Sequence, residues 1–304
     1  MISRPGSCES RSDRLTRLLA LAVTSLALAA CADFKLFVAN VAAAGGPFTH
    51  TDNVAYGSET RQRLDVYRPK NPKDPPAAAG AGLPVVVFFH GGTWATESKD
   101  DYRFVGATLA EHGWLGIVPS YRVYPKVEFP AFVEDAALAV AWAEKHAAEY
   151  GGDPKRVFVM GHSSGAHLAL LLALDRRYLA ATGVNADAIR GAIGLAGPYD
   201  FLPFASQRIA RVFADARDPL DTQPIHFARG GAPPILLLHG TSDEMVPTSN
   251  SRNLAEAIRR AGGDVTLKLY QDADHGDLVA AFSSLGGDTP PVLEDIARFI
   301  AAHP

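Results

Sequence analysis

The stretch "RVFVMGHSSGAHLALLLAL", residues Arg156 to Leu174, decides the fold. A short apolar run ends abruptly at Gly161, and a long Ala/Leu stretch follows Gly165. The apolar run predicts a buried strand and the Ala/Leu stretch predicts a helix. The five residues between them match G-x-S-x-G, a sharp turn that lifts a serine hydroxyl above the end of a sheet. We therefore predict that Ser163 is a nucleophile and not merely a helix N-cap.

Strand and helix patterns alternate on both sides of this stretch. Apolar or alternating runs predict strands, and helical spacing of apolar residues predicts the helices between them. This alternation indicates an α/β protein with a mostly parallel central sheet flanked by helices. The predicted strands cover 63–69, 83–89, 113–121, 156–160, 189–197, 233–240 and 264–270, and the predicted helices cover 100–111, 132–151, 165–174, 251–263 and 291–302. Residues 198–231 interrupt the alternation of strand and helix patterns, which predicts a small cap insertion.

The length and composition limit which classes of protein the chain can belong to. The chain has 304 residues and is 47% hydrophobic, which suits a single large α/β domain, predicted here over residues 51–304. The net charge is −4 and no basic stripe occurs, which argues against a nucleic-acid partner. No Cys/His spacing typical of a metal site is present, so we expect no metal.

The N-terminus predicts export and lipid anchoring. Arginines precede the apolar run "LLALAVTSLALAA", which is too short to span a bilayer, so residues 1–30 are predicted to be a signal peptide. Leu28-Ala29-Ala30-Cys31 resembles the lipobox of bacterial lipoproteins, in which the cysteine carries the lipid. We predict that lipidated Cys31 and a tether over 31–50 hold the protein on a bacterial membrane, at the outer membrane or the periplasmic face. Cleavage after Ala32 to give a soluble secreted or periplasmic protein is the alternative.

Three further segments supply candidate partners for Ser163. His90-Gly91-Gly92 ends a predicted buried strand, where glycines let backbone N–H groups approach a substrate closely. Asp243 follows a late buried strand by a short loop, and His275 follows the last strand. The chain order serine, acid, histidine is the order that a nucleophile elbow of this kind requires. His275 would accept the proton of Ser163, and Asp243 would orient the imidazole.

Other residues compete for these roles. Asp200 and Glu244 are alternative acids, because each lies after or near a buried strand. His162 and His167 are alternative bases, because both lie close to the serine. We prefer His275, since a base on a loop after the last strand can reach across the cleft.

Together these segments resemble the α/β-hydrolase superfamily of serine esterases. Within it, the chain is similar to the branch of bifunctional feruloyl/acetyl-xylan esterase-like and kynurenine formamidase-like enzymes. The resemblance implies a triad of Ser163, Asp243 and His275, no cofactor and no metal, and an oxyanion hole formed by Gly91, Gly92 and Ser164. Thr93-Trp94 stands where hormone-sensitive-lipase-like esterases carry a third glycine. The segments that carry the resemblance are "AYGSETRQRLDVYRP" at 55–69, "HGGTW" at 90–94, "GHSSGAH" at 161–167, "AGPYDF" at 196–201, "HGTSDEMVP" at 239–247 and "DADH" at 272–275.

The expected activity is hydrolysis of small or short-chain acyl or aryl carboxylic esters through an acyl-enzyme (an EC 3.1.1-type serine carboxylesterase). Trp94, Tyr199 and Phe201 are predicted to line the substrate pocket, because they are apolar and lie near the cleft. One alternative is an amidase, formamidase or aminopeptidase-like serine hydrolase, because fold and triad do not separate esters from amides. A catalytically silent, ligand-binding surface lipoprotein is an alternative of another class.

Overall fold

The computed structural model describes residues 36–43, 45–70, 82–285 and 289–304. The predicted signal peptide and Cys31 lie outside these ranges. Within these ranges eight strands form one sheet in the order β1-β2-β4-β3-β5-β6-β7-β8. The strands are β1 Phe48–Ala55, β2 Arg63–Pro69, β3 Leu83–Phe89, β4 Leu115–Pro119, β5 Gly152–His162, β6 Ile189–Leu195, β7 Ile235–Gly240 and β8 Val265–Tyr270.

The order of the strands places the functional edge of the sheet. β1 and β2 pair antiparallel, as do β2 and β4, and the remaining neighbours pair parallel. After β3 the chain moves to one side for β4 and then returns to the other side for β5. Such a switch leaves a crevice at the carboxyl ends of the two strands, where open α/β sheets bind ligands. β3 ends at the predicted oxyanion loop, and β5 ends at His162, directly before Ser163.

Helices cover the sheet and confirm the predicted α/β architecture. β3 and β4 are buried almost throughout, as continuous apolar runs in a doubly covered sheet should be. Of the described helices, none is long and apolar enough to cross a membrane. The helices are α1 at residues 36–43, α2 Arg103–Glu111, α3 Ala131–His146, α4 Ser164–Leu174, α5 Arg176–Ala181, α6 Gln207–Val212, α7 Ser249–Arg260, α8 Asp277–Ala280 and α9 Val292–Ala302.

The folded part begins earlier than the predicted boundary at residue 51. Helix α1 lies within the predicted tether, and β1 begins at Phe48. Asn40 joins α1 to the start of α2, because its side chain donates to the Asp100 carbonyl and accepts from the Phe104 N–H. Side chains of α1 and of the start of β1, Ala39 and Phe48 among them, therefore pack on the domain. Predicted helix 100–111 is divided into a 3₁₀ helix, Lys99–Tyr102, and α2.

The predicted small cap is present between β6 and β7. It contains α6 and two 3₁₀ helices, Pro219–Thr222 and Pro224–Phe227. Hydrogen bonds to two amide side chains hold the backbone of its first residues in place. The Asn250 Oδ1 accepts from the N–H groups of Tyr199 and Asp200 at 2.8 and 2.9 Å, and the Gln223 Oε1 accepts from the Phe201 N–H at 2.7 Å.

Candidate active site

Ser163 lies on a strained turn between β5 and α4, as the sequence predicts. Its φ is 55° and its ψ is −122°, a region that residues with a side chain rarely occupy. The flanking glycines are required by space: a Cβ on Gly161 would lie 2.2 Å from the Gly165 carbonyl oxygen. A Cβ on Gly165 would lie 2.1 Å from the Phe89 carbonyl oxygen. The turn can therefore form only where both side chains are absent, and it packs directly on the end of β3.

Asp243 and His275 meet on neighbouring loops at the same end of the sheet. The His275 Nδ1 donates to the Asp243 Oδ2 at 2.7 Å. The other carboxylate oxygen accepts from the N–H groups of Met245 and Val246 at 2.9 and 2.8 Å. Burial favours the neutral acid, but hydrogen bonds from His239 and His275 outweigh it and hold the pKa of Asp243 well below its usual range. Asp243 is therefore a carboxylate at neutral pH and fixes the tautomer of His275.

His239 is a further neighbour of the acid, and the sequence assigned it no role. Its Nε2 lies 3.1 Å from the Asp243 Oδ2 and 2.8 Å from the Val246 carbonyl oxygen. Its Nδ1 lies 2.7 Å from the Ser251 hydroxyl. Because a carbonyl oxygen only accepts, Nε2 carries the proton, and Nδ1 accepts from Ser251. His239 lies near the end of β7 and Asp243 follows four residues later, and this spacing is the signal from which the contact could have been predicted.

The competing acids and one competing base are exposed or hydrogen-bonded to residues other than Ser163, Asp243 and His275. The Asp200 carboxylate accepts from the Asn253 side chain at 2.7 Å, on α7, and Glu244 is exposed. His167 is fully buried, with its Nε2 2.8 Å from the Thr222 carbonyl oxygen. Its Nδ1 accepts from the Trp94 indole at 3.2 Å. Burial lowers the pKa of His167 to about 4, so it is neutral and both ring nitrogens are engaged.

His162 lies against His275. Its Nε2 is 2.9 Å from the His275 carbonyl oxygen, and the two ring centroids are 4.7 Å apart. Burial lowers the pKa of His162 to about 3, and the nearby His275 adds to this effect. The sequence placed His162 in the elbow but did not indicate this contact.

The loop after β3 is held by aromatic residues. His90 stacks on Tyr121 at a centroid distance of 4.2 Å, and the Tyr121 hydroxyl donates to the His90 carbonyl oxygen at 2.8 Å. Burial lowers the pKa of His90 to about 3, which leaves it a neutral structural residue. The Gly91 N–H donates to the Tyr102 hydroxyl at 3.4 Å. This N–H therefore has an acceptor inside the protein, which weakens the prediction that Gly91 is an oxyanion donor. Gly92 follows with a φ of +94°.

The three residues predicted to line the pocket differ in their burial and packing. Trp94 is buried but forms an aromatic cluster with the cap: it stacks on Phe201 at 5.9 Å and meets Phe213 edge-on at 4.9 Å. Phe201 is half-buried and is the part of this cluster nearest to solvent. Tyr199 does not line an open pocket, and that prediction is wrong. Its side chain is fully buried, because it turns back onto β6 over glycine 194, where a Cβ would lie 2.0 Å from its hydroxyl.

The described residues contain no group of three or more His, Cys, Asp or Glu side chains placed to hold a metal ion. The groups brought together at the carboxyl ends of β3, β5, β7 and β8 are a serine, a histidine–carboxylate pair and a glycine-rich loop. Such an arrangement suits nucleophilic attack and proton transfer.

Comparison with known proteins identifies the family. A family model described as BD-FAE matches residues 64–258, which is more than half of the chain. The chain belongs to the BD-FAE family. The match covers Ser163 and Asp243 and ends before His275.

Curated relatives of this BD-FAE family member carry esterase names. Esterase LipC of Mycobacterium tuberculosis is 30% identical over 273 residues, covering 83% of this chain and 65% of the relative. Esterase LipQ of the same organism is 32% identical, covering 77% of this chain and 59% of the relative. A probable isoprenylcysteine alpha-carbonyl methylesterase of Arabidopsis thaliana is 29% identical, covering 82% and 55%. The chain thus spans less than two thirds of the length of these relatives.

Solved structures agree with the fold. A thermophilic esterase of Thermogutta terrifontis superposes on this BD-FAE family member with a TM-score of 0.66 at 26% identity, covering 86% of this chain and 93% of that one. Esterase B of Lactobacillus rhamnosis gives a TM-score of 0.73 at 20% identity, covering 94% and 95%. The chain has the predicted α/β-hydrolase fold.

Proposed function

We propose that this protein is a carboxylic-ester hydrolase in which Ser163 is the nucleophile, His275 the general base and Asp243 the orienting acid. The observation that carries the proposal is the strained Ser163 turn facing the loop that holds the 2.7 Å His275–Asp243 hydrogen bond. The esterase names of the relatives add support, as does a Thermogutta terrifontis esterase solved "phosphorylated by paraoxon" at 26% identity.

The proposed reaction has two halves. The Ser163 Oγ attacks the ester carbonyl carbon while the His275 Nε2 takes its proton, giving a tetrahedral oxyanion. Collapse breaks the bond to the alkoxy group, which leaves as an alcohol with the proton from His275, and the acyl group stays on Ser163. A water molecule then attacks the acyl-enzyme by the same proton route and releases the acid. The carboxylate of Asp243 stabilises the imidazolium formed in each half.

The oxyanion hole is assigned to the end of β3 and the start of α4. Ser164 is the first residue of α4, and the first N–H groups of a helix have no acceptor within it. Because the Gly91 N–H is directed to Tyr102, the donors from the other loop are the N–H groups of Gly92 and Thr93. Two or three such donors aimed at one oxygen stabilise the charge that develops on it.

The aromatic cluster at the start of the cap supports the substrate class. Phe201 is half-buried, and the buried Trp94 stacks on it and donates from its indole to His167. A partly exposed aromatic side chain held in this way suits a small or short-chain acyl group or an aryl group.

The test is hydrolysis of p-nitrophenyl acetate and butyrate by the wild-type protein and by Ser163→Ala. We expect turnover that falls by about 10⁴-fold or more in the variant, as in other triads that lose their serine. Equal turnover in both proteins would refute the assignment of Ser163. Absence of turnover in a folded wild-type protein would refute the esterase proposal.

We also propose that the protein is anchored to a bacterial membrane by lipid on Cys31. Support comes from the sequence alone: an arginine-rich start, an apolar run and the Leu28-to-Cys31 motif. The test is metabolic labelling with radioactive palmitate and membrane fractionation of the wild type and Cys31→Ser. Label on both proteins, or on neither, would refute the anchor.

A further inference from the structure

His162 joins three parts of the site that are far apart in sequence. It belongs to the serine turn by its position, and its Nε2 reaches the His275 carbonyl oxygen, 113 residues away, at 2.9 Å. Its ring also lies against the His275 imidazole, with 4.7 Å between centroids. Its Nδ1 would lie 3.5 Å from a Cβ on Gly91, at the start of the oxyanion loop.

The hydrogen bond defines the tautomer of His162. A carbonyl oxygen only accepts, so Nε2 carries the proton and Nδ1 carries a lone pair. That Nδ1 is buried and has no hydrogen-bond partner among the described residues. The residue is 6% exposed, and burial lowers the pKa of its imidazole to about 3. His162 therefore stays neutral at the pH values where a histidine base works, and its N–H remains a donor.

The remaining contacts of the His275 loop run mostly to the loop that carries Asp243. The Ser242 N–H donates to the Ala273 carbonyl oxygen at 3.0 Å, and the Asp272 N–H donates to the Thr241 hydroxyl at 2.9 Å. These bonds fix His275 relative to its acid. They do not fix it relative to Ser163, which lies on the turn after β5. The bond from His162 does, because His162 and Ser163 are adjacent in the chain.

We infer that His162 is a positioning residue: its Nε2–H bond and its ring hold the His275 loop at a fixed distance from Ser163. This inference rests on the proposed esterase function. It assigns His162 no proton transfer, since its one basic nitrogen faces the oxyanion loop. Losing the bond would leave the triad acid and base paired but displaced from the nucleophile, and displacements of about 1 Å reduce rates by as much as 10²-fold.

The test compares two side chains of similar length, His162→Gln and His162→Met. The glutamine amide places an N–H near the position of Nε2, whereas the methionine has no donor. We expect kcat for p-nitrophenyl butyrate to fall by about 10- to 100-fold in His162→Met, the usual consequence of leaving a buried acceptor unpaired at a site where geometry sets the rate. KM should change little, and His162→Gln should recover most of the loss.

A second readout does not depend on ester turnover. Paraoxon phosphorylates a serine nucleophile directly, so its rate of covalent attachment should fall in the same order, wild type, His162→Gln, His162→Met. Nitrogen NMR of the imidazoles in the wild-type protein should show His162 as the Nε2–H tautomer without titration between about pH 5 and 9, well above its lowered pKa. Because it uses only the wild-type protein, this measurement tests the inference even if a variant fails to fold.

Three results would overturn the inference. The first is equal kcat and equal phosphorylation rate in His162→Met and wild type. The second is equal impairment of both variants, since the bond would then not be the cause. The third is an Nδ1–H tautomer for His162. Failure of the proposed function itself looks different: a wild type that paraoxon phosphorylates but that hydrolyses no ester, with the order among variants still measurable.

Discussion

A single methyl group at position 165 tests whether the close packing of the serine turn on β3 sets the catalytic geometry. In Gly165→Ala the new Cβ would lie 2.1 Å from the Phe89 carbonyl oxygen and 2.4 Å from that of His90. Carbon–oxygen contacts ordinarily begin at about 3.3 Å, so the end of β3 and the turn must separate by about 1 Å. That movement carries the oxyanion loop away from Ser163.

The expected size of the effect follows from this displacement. A 1 Å misplacement costs up to about 10²-fold in rate, which corresponds to about 2.7 kcal/mol of transition-state stabilisation. Overpacking of this kind also destabilises a fold by about 1–3 kcal/mol. We therefore expect kcat/KM of Gly165→Ala to fall by about 100-fold and its free energy of unfolding to fall by about 1–3 kcal/mol.

The assay is p-nitrophenyl butyrate hydrolysis, with urea unfolding in parallel. Gly231→Ala is the matched control, because its Cβ would meet nothing closer than the Arg229 guanidinium at 3.4 Å. The control should keep wild-type kcat/KM and stability. A Gly165→Ala protein that is folded and keeps kcat/KM within about threefold would refute the reasoning, since a 1 Å shift is expected to cost far more than that.

Two further predictions concern the acid and the buried histidines. Asp243→Asn should lower kcat by about 10³- to 10⁴-fold with little change in KM, because an amide can donate to His275 and favour the wrong tautomer; a loss below tenfold in steady-state kinetics would contradict this role. Burial lowers the pKa of His90 and His162 to about 3 and of His167 to about 4. Below about pH 6.5 these three histidines take up a proton in the unfolded chain but stay neutral in the native state. The free energy of unfolding should therefore fall on acidification from pH 6.5 to 5, by up to about 1.4 kcal/mol per pH unit for each histidine. Urea unfolding at pH 5, 6 and 7 measures this, and equal stability at the three values would contradict it.

Local patterns predicted the fold and most of the positions at the site. β2 and β3 begin and end where the sequence places them, because their apolar patterns report burial directly. The strained φ of Ser163 was predictable, since two glycines at fixed spacing are what this turn requires. The pairing of Asp243 with His275 followed from chain order in an alternating pattern.

Contacts between distant segments were not predictable in the same way. Tyr199 is a large aromatic residue of the kind that lines pockets. Its side chain turns inward, because Gly194 has no side chain and leaves space for the Tyr199 hydroxyl. The Gly91 N–H was expected to face substrate, but Tyr102, 11 residues later, supplies an acceptor. In both cases a residue of another element decides where the group points, and a single sequence does not show which residue lies there.

The attachment of the cap has a consequence for how this fold can diversify. Two amide side chains, Asn250 and Gln223, hold the first residues of the segment between β6 and β7. Ser163, Asp243 and His275 lie on other loops. The segment can therefore lengthen, shorten or change at residues that do not pack on Trp94 while Ser163, Asp243 and His275 keep their places. Selection can thus alter which molecules are accepted and how fast they react as two separate traits, each under its own set of mutations.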